Sequence, residues 1–314
     1  MSIFTRQGRA LLLSAAALAF VAVFTLSCSK KCGDKAYDAK TQFCCNNRDI
    51  VDKCGGSEYN PETQFCNESN VVEKCGGKEY DLAAQFCYNN SIVADKCDGK
   101  EYNAETKFCL RNELLDRCGT KEYDPETQFC DTRDSGVYKF VKIKTQTWMA
   151  ENLNYQPQTG KSWCYDDNAD NCNKYGRLYD WGTAKKVCPT GWHLPTSKEW
   201  DNLSLAAGGK KNIDESGELD YYYWIGVGKK LKAKNGWNDN KDQSGNGTDE
   251  YGFSALPGGH RGSDGGFRGT GEYSGWWTAT DGFGIGRYMW YNDDHVFGGE
   301  LDKNSGERVR CVQN

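Results

Sequence analysis

Hydrophobic and polar positions follow four distinct patterns along the chain. Residues 10–26 form one uncharged apolar run, and residues 32–130 carry scattered apolar side chains in a unit that recurs about every 21 residues. Over residues 138–149, Lys alternates with apolar side chains, which predicts β-strands. Beyond Gly252, Gly is interleaved with Trp and Tyr, which predicts short strands joined by Gly-rich loops.

Two segments between these regions have the pattern of helices, namely residues 177–187 and 197–207. Thr196, followed three residues later by Glu199, predicts a capping box at the start of the second helix, and the Gly pair at 208–209 predicts its end. Helices and strands that occupy separate stretches predict an α+β domain.

The N-terminal apolar run has the features of an export signal. Arg6 and Arg9 precede it, and Cys28 lies where cleavage is expected, in a context that resembles a bacterial lipobox. We predict a signal peptide over residues 1–27, acylation of Cys28 and a lipidated tether over residues 28–31. The predicted location is the outer membrane at the cell surface of a Gram-negative bacterium. Cleavage without lipidation and a retained single-span anchor are the alternatives.

Cysteines divide residues 32–130 into five similar units. Within each unit two Cys lie twelve residues apart, and the first Cys of successive units are separated by 21 or 22 residues. A turn such as residues 124–127 lies between the two Cys, so we predict a β-hairpin with the Cys opposed across its strands. Disulfides are the default in an exported protein. The predicted pairs are Cys32–Cys44, Cys54–Cys66, Cys75–Cys87, Cys97–Cys109 and Cys118–Cys130.

Pairing across neighbouring units, such as Cys44 with Cys54, is the alternative, and it would leave Cys32 and Cys130 single. The preferred scheme leaves Cys45 unpaired. Zinc binding by these Cys is disfavoured, because zinc sites use Cys-x2-Cys or Cys/His clusters and this region contains no His. Because such small units bury little apolar surface, their disulfides replace a core and the array is predicted to be a stalk. The repeats are similar to those of galaxin-like matrix proteins, which implies an extracellular structural role.

Charge and composition exclude several classes of protein. The formal charge is +4 over residues 1–31, −7 over 32–130 and −2 over 131–314, which gives −5 for the chain. Proteins that bind nucleic acid carry an excess of basic side chains, so this acidic balance argues against nucleic acid as a partner. A mean hydropathy of −0.79 excludes a multi-span membrane protein, and an aromatic content of 13% argues against general disorder.

The segment after the repeats carries a more specific set of motifs. They are TWMAENLNY at 147–155, CNKYGRLYDW at 172–181, CPTGWHLPTSKEW at 188–200, GTDEYGFSALPGG at 247–259 and VRCV at 309–312. Together they resemble the Fibrobacter succinogenes major paralogous domain over nearly all of residues 138–314, with residues 131–137 as a linker. That family has no settled activity. The resemblance implies a C-type-lectin-like fold, which formylglycine-generating enzymes also use.

The same resemblance implies two further disulfides. In the lectin-like fold a Cys on a helix is joined to the last strand, which implies Cys188–Cys311, and Cys164–Cys172 would then close a short loop. Residues 224–226, WIG, are similar to the core motif of that fold. Residues 237–239, WND, are similar to its calcium motif.

The loop that begins at this second motif carries oxygen ligands at the spacing of a calcium loop. Asn238, Asn240, Asp242 and Asp249 fit positions 1, 3, 5 and 12 of such a loop. Calcium is therefore a candidate cofactor, with ordinary solvated turns as the alternative reading. No other cofactor is predicted.

Aromatic side chains crowd residues 273–291. Because neighbours in a strand point to opposite faces, we expect one of Trp276 and Trp277 to pack inward and the other to face solvent. An exposed group of aromatic rings beside amides and carboxylates would form an apolar platform that suits sugar rings or a protein loop. The predicted ligand-binding residues are Trp276, Tyr288, Trp290, Tyr291, Asn292 and Asp293.

These features predict a lipoprotein that presents a non-catalytic binding or adhesion domain, with polysaccharide as the first ligand and an extracellular protein as the second. A structural envelope or matrix protein without a dedicated ligand is the alternative. An enzyme on a formylglycine-generating-like fold is the third hypothesis. An enzyme of that type needs a pair of free thiols to hold copper, whereas the Cys of this domain are assigned to disulfides. In addition, no His is accompanied by a Ser or Cys in the sequence order of a known catalytic triad.

Overall fold

The computed structural model describes residue 35 and residues 37–45, 49–213, 222–241, 243–281 and 284–313. The predicted signal peptide, tether and Cys32 lie outside these residues. Within the described part of the chain, no helix is long and apolar enough to cross a membrane. The chain divides into two compact units, one that ends at Glu101 and one that begins at Tyr102.

Two-stranded antiparallel hairpins form the first unit and open the second. The hairpins of the first unit are β1 (Gln42–Cys45) with β2 (Asp49–Asp52), β3 (Gln64–Asn67) with β4 (Asn70–Glu73), and β5 (Gln85–Tyr88) with β6 (Ile92–Asp95). The second unit begins with β7 (Lys107–Leu110) and β8 (Glu113–Asp116).

Each hairpin crosses the boundary between two repeats, so the predicted position of the hairpin is wrong. Strand β3 contains Cys66, the second Cys of its repeat, and pairs with β4, which precedes the next repeat. The turn between them consists of Glu68 and Ser69, which both have positive φ. Two-residue turns of this kind match the right-handed twist of paired strands. The turn predicted to form the hairpin, here residues 60–63, instead leads into β3.

Where the bridge is described, a disulfide joins the two Cys of one repeat, as predicted. Their Cα atoms are 5.3 to 5.5 Å apart, and the residue before each second Cys is a buried Phe in four repeats. Cys44, Cys97 and Cys109 are also disulfide-bonded. The pairs whose geometry is described are Cys54–Cys66, Cys75–Cys87 and Cys118–Cys130.

The second unit is built mainly of β-strands with a few short helices. Its helices are α1 (Ala169–Tyr175), α2 (Trp181–Val187), α3 (Ser197–Ala206) and α4 (Gly228–Leu231), with a 3-10 turn at Tyr165–Asp167. Its further strands are β9 (Gln128–Asp131), β10 (Gly136–Ile143), β11 (Gln146–Met149), β12 (Ser162–Trp163), β13 (Leu178–Tyr179), β14 (Trp192–His193), β15 (Lys210–Ile213), β16 (Tyr222–Ile225), β17 (Gly258–Arg261), β18 (Phe267–Thr270), β19 (Tyr273–Trp277), β20 (Ile285–Trp290), β21 (Val296–Glu300), β22 (Glu307–Arg308) and β23 (Val312–Gln313).

The predicted helices are confirmed in part. α3 has the expected capping box, in which the Thr196 side chain accepts from the Glu199 backbone and the Glu199 side chain accepts from the Thr196 backbone. The helix predicted over residues 177–187 begins only at Trp181. Its first residues form β13 instead, and the side chain of Asp180 caps the shorter helix α2.

Two sheets organise the second unit. The smaller has the order β14-β23-β11-β10-β9, so a strand of the last repeat joins it and residues 131–137 include the turn between β9 and β10. The larger has the order β12-β13-β22-β19-β20-β21-β16-β15, with β17 and β18 attached beside β19. Cys188–Cys311 joins the end of α2 to the residue before β23, and Cys164–Cys172 closes a short loop, as the family resemblance implied.

Hydrophobic clusters cover both faces of the larger sheet at β19. Trp276 packs against Trp200 of α3, with ring centroids 5.7 Å apart. Trp277 belongs to the second cluster, and its indole Nε1 donates to the Tyr179 carbonyl oxygen at 2.7 Å. Both indoles are fully buried. The expectation that one of them faces solvent is therefore wrong, because alternation sends them to opposite faces and each face is covered at the position of its indole.

Replacing either buried indole tests this arrangement. We expect Trp276→Ala and Trp277→Ala each to lower the free energy of unfolding by about 3–5 kcal/mol, because each leaves a large cavity. Urea denaturation measures the change. Trp290→Ala is the comparison variant, since that side chain is 37% exposed and its removal should cost clearly less stability than removal of a fully buried indole. Equal stability of all three variants would contradict the two-faced core.

Candidate functional site

One face of the larger sheet carries a row of five aromatic side chains, of which four are at least partly exposed and one, Tyr273, is buried. Residues paired across neighbouring strands share a face, and here Tyr273 pairs with Trp290, Tyr288 with Phe297, and Phe297 with Tyr223. The ring centroids lie 4.8 Å apart for Tyr273 and Trp290, 5.9 Å for Tyr273 and Tyr288, 5.4 Å for Tyr288 and Phe297, and 5.7 Å for Phe297 and Tyr223. We call these five residues the aromatic strip.

The strip is accessible along most of its length. Trp290 is 37% exposed, and Tyr223, Tyr288 and Phe297 are half-buried. Ile225, two residues after Tyr223 on the same face of β16, is 44% exposed. Large apolar side chains in one contiguous row on a surface commonly mark a binding site.

Only two of the predicted ligand-binding residues, Tyr288 and Trp290, belong to the strip. Trp276 is fully buried on the opposite face of the sheet, so its predicted place in an exposed platform is wrong. Tyr291 is half-buried and packs against the same cluster as Trp276. Asn292 is exposed and Asp293 is half-buried, and both lie in the turn that follows β20.

Lys232 holds that turn in place from the interior. Its side chain is buried, and its ammonium group donates to the backbone carbonyl oxygens of Trp290 and, at 2.6 Å, of Asp293. Burial lowers the pKa of Lys232 to about 8, and the nearby charges of Asp294 and Asp293 oppose this shift. The Asp293 carboxylate also accepts from the His295 backbone at 2.7 Å and contacts the imidazole of His295. The turn is therefore fixed beside the exposed indole.

A family model places this arrangement among known proteins. The model, described as the Fibrobacter succinogenes major domain, matches residues 141–313, which is more than half of the chain. The chain belongs to this family. No curated protein and no solved structure matches it. The major domain thus contains the aromatic strip, Lys232 and the turn after β20.

The predicted calcium loop of the major domain is only partly described. Asn238 is exposed, Asn240 lies in a tight turn, and Asp242 is outside the described residues. The Asp249 carboxylate accepts from the backbone and the hydroxyl of Ser254, at 2.7 and 2.6 Å. Among the residues that the structure describes, no group of three or more acidic, His or Cys side chains could hold a metal ion. A calcium site remains a prediction.

A buried carboxyl group beside the strip was not predicted. Glu307 on β22 is 2% exposed, and the hydroxyl of Tyr273 donates to its Oε1 at 3.4 Å. Its Oε2 has no hydrogen-bond partner in the described part of the chain. Burial raises the pKa of Glu307 to about 8, although the charge of Arg308 opposes this. A Cβ at Gly275 would lie 2.4 Å from that Oε2, so only Gly leaves room for the carboxyl group.

The sequence around Glu307 gives no sign of its burial. Residues 302–308, DKNSGER, have the composition of a surface loop, with Gly, Asn and several charges. The short strand β22 is inserted between β13 and β19, and it is this placement inside the sheet that buries the carboxyl group.

Glu307→Gln is expected to change how stability depends on pH. The folded domain holds this carboxyl group with a pKa of about 8, against an ordinary value of 4.5. Between these values the native state binds a proton that the unfolded chain has lost. The stabilisation is therefore complete below pH 4.5 and is lost as the pH rises through 8. Glu307→Gln should have a higher thermal midpoint than the parent protein above pH 8 and a flatter profile below it.

The matched control is Glu300→Gln, because Glu300 is an exposed carboxylate on the same sheet. Its pH profile of thermal midpoints should follow that of the parent protein. A Glu307→Gln profile that also follows the parent would show that the buried carboxyl group is not held protonated.

Proposed function

We propose that this chain is a surface-anchored lipoprotein whose major domain binds polysaccharide through the aromatic strip. The observation that carries the proposal is the partly exposed Trp290 at the end of a row of aromatic rings in mutual contact. The C–H faces of sugar rings pack on aromatic rings, and Tyr and Trp combine such a face with a polar edge. A row of rings that follows neighbouring strands suits an extended chain of sugars.

Polar groups at both ends of the strip supply the hydrogen bonds that sugar hydroxyls need. Asn292 and Asp293 follow Trp290 at one end. At the other, the amide of Asn212 donates to the hydroxyl of Tyr223. Amides donate and accept hydrogen bonds at once, as sugar hydroxyls do. Because Lys232 already orders the turn, less conformational entropy is lost when a ligand binds.

A C-type-lectin-like fold is part of the proposal. The disulfide Cys188–Cys311 links the end of a helix to the segment that enters the last strand. Trp148 of β11 is paired with Val312 of β23, so strands from near the start and the end of the major domain are neighbours. These features support the lectin-like fold, in which binding domains present loops from a rigid sheet.

The Cys-rich repeats serve as a stalk in this proposal. The Phe before a repeat's second Cys packs against the Tyr of the following repeat, with ring centroids 5.6 Å apart for Phe43 and Tyr59 and 5.5 Å for Phe65 and Tyr80. In these repeats an aromatic contact joins one disulfide-bonded unit to the next. Such contacts give a chain of small units more rigidity than a flexible linker has.

Binding assays with strip variants test the ligand. We expect the purified full chain to sediment with insoluble plant or cell-surface polysaccharides, and Trp290→Ala and Tyr288→Ala to weaken this by at least about tenfold, since aromatic anchors at binding sites contribute about 2 kcal/mol or more. Trp163→Ala is the matched control, because Trp163 is half-buried in β12 at the far edge of the same sheet. Thermal midpoints should show that all variants are folded.

The outcomes separate the alternative functions. If the chain captures a protein instead, and the same variants lose this binding, the ligand of the strip is a protein and not a polysaccharide. Binding to neither would favour a structural envelope protein. Turnover of a glycan that survives strip substitutions but not replacement of one acid would indicate an enzyme.

The anchor has a separate test. We expect the mature protein to begin at an acylated Cys28 and to partition into detergent, because acyl chains insert into a membrane leaflet. Cys28→Ser should release it into the aqueous fraction after cell lysis. A Cys28→Ser protein that stays in the membrane fraction would exclude lipid anchoring at this residue.

A further inference from the structure

The second unit contains a large cleft that shares no residue with the aromatic strip. Its volume is about 970 Å³, and it lies between β10 on one side and the end of α1, residues 233–235 and residues 249–256 on the others. Ligand sites of proteins occupy about 300–1,000 Å³, so the cleft is large enough for several sugar units.

The charge of the cleft is opposite to that of the chain. Its lining includes five basic side chains and two acidic ones, a balance of +3, whereas the whole chain carries −5. Four of the basic groups are exposed lysines, and the fifth is a buried arginine. The basic residues are Lys121, Lys139, Lys174, Lys234 and Arg310.

Both acidic side chains of the cleft are already engaged. Glu151 accepts from the Lys139 backbone at 2.8 Å, and Asp249 accepts from the backbone and hydroxyl of Ser254. No ion pair within 4.0 Å joins either carboxylate to Arg310 or to a lysine of the cleft among the described residues. The positive charges of the cleft are therefore not neutralised by direct contact with its own acids.

Arg310 brings a positive charge into the wall of the cleft. Its side chain is 1% exposed, and its guanidinium group donates to Asn152 Oδ1 at 3.0 Å and to the carbonyl oxygen of Phe253. Burial lowers the pKa of Arg310 to about 9. An anion bound in the cleft would offset part of the cost of burying this charge.

Carboxamide side chains complete the lining. They are neutral, and each donates and accepts hydrogen bonds, which matches the hydroxyl groups of a sugar. Phe140 and Tyr175 also line the cleft and add apolar character to it. The carboxamides that can meet a ligand are Gln128, Asn154, Asn173 and Asn235. Asn152 also lines the cleft, but it is buried and already bonded to Tyr175, Trp276 and Arg310.

We propose that this cleft is a second binding site, which takes an acidic polysaccharide whose carboxylate groups lie against the lysines and whose hydroxyl groups meet the carboxamides. The site is separate from the aromatic strip, and its ligand carries negative charge, which the polysaccharide proposed for the strip does not require. Attraction between exposed lysines and carboxylates is screened by salt, so binding should weaken as ionic strength rises.

Charge reversal at the rim tests the site. The probe is polygalacturonate, with fully methyl-esterified polygalacturonate as the uncharged form of the same polymer, and affinity electrophoresis of the full chain measures binding. We expect retardation by the acid polymer and little by the ester. The double variant Lys139→Glu/Lys174→Glu should lose at least about tenfold in affinity, since unlike charges become like.

Two controls identify the cleft. Lys198→Glu/Lys229→Glu changes the net charge equally at exposed lysines outside the cleft, and it should lose much less affinity. Trp290→Ala should keep binding to polygalacturonate, which separates this site from the strip. Equal retardation by acid and ester, equal loss in both double variants, or retardation by polyglutamate but not by polygalacturonate would each overturn the proposal.

Discussion

The major domain depends on the burial of one strand, β19, on both of its faces. Trp276 enters the cluster that contains Trp200, and Trp277 enters the cluster that contains Tyr179. Because protein interiors are close-packed, neither cluster can shift without moving the strand and hence the other cluster. Tyr273, at the start of the same strand, belongs to the aromatic strip, so the core and the proposed binding surface share one rigid element.

Buried basic side chains connect this core to the loops around it. The guanidinium of Arg308 donates to the carbonyl oxygens of Tyr175 and Gly258, at 2.8 and 2.7 Å, and Lys232 and Arg310 likewise bind backbone carbonyls. A buried charge is costly unless it is hydrogen-bonded, so each of these groups favours one arrangement of the loop that it holds. Lys232 thereby orders the turn beside the strip, and Arg310 shapes the cleft.

The Cys-rich repeats are stabilised mainly by disulfides and not by a large hydrophobic core. Four of the five bury little more than one Phe beside a disulfide-bonded Cys, so covalent closure of the unfolded chain replaces most of a hydrophobic core. Their hairpins connect one repeat to the next, since the turn residues with positive φ, such as Asn89 and Asn90, lie between repeats.

The sequence alone determined the repeat period, the capping box at Thr196 and the family of the C-terminal domain. It favoured pairing of Cys within repeats but left pairing across repeats open, and the structure decided between them. The sequence could not predict whether Trp276, Tyr291 and Glu307 are buried, because period-two alternation assigns a side chain to one face of a strand but does not show what covers that face. Strand order decided this. The insertion of β22 beside β19 buried the carboxyl group of Glu307, although this residue lies in a polar segment. The clusters that cover β19 buried Trp276, whereas Trp290 at the end of β20 stayed partly exposed.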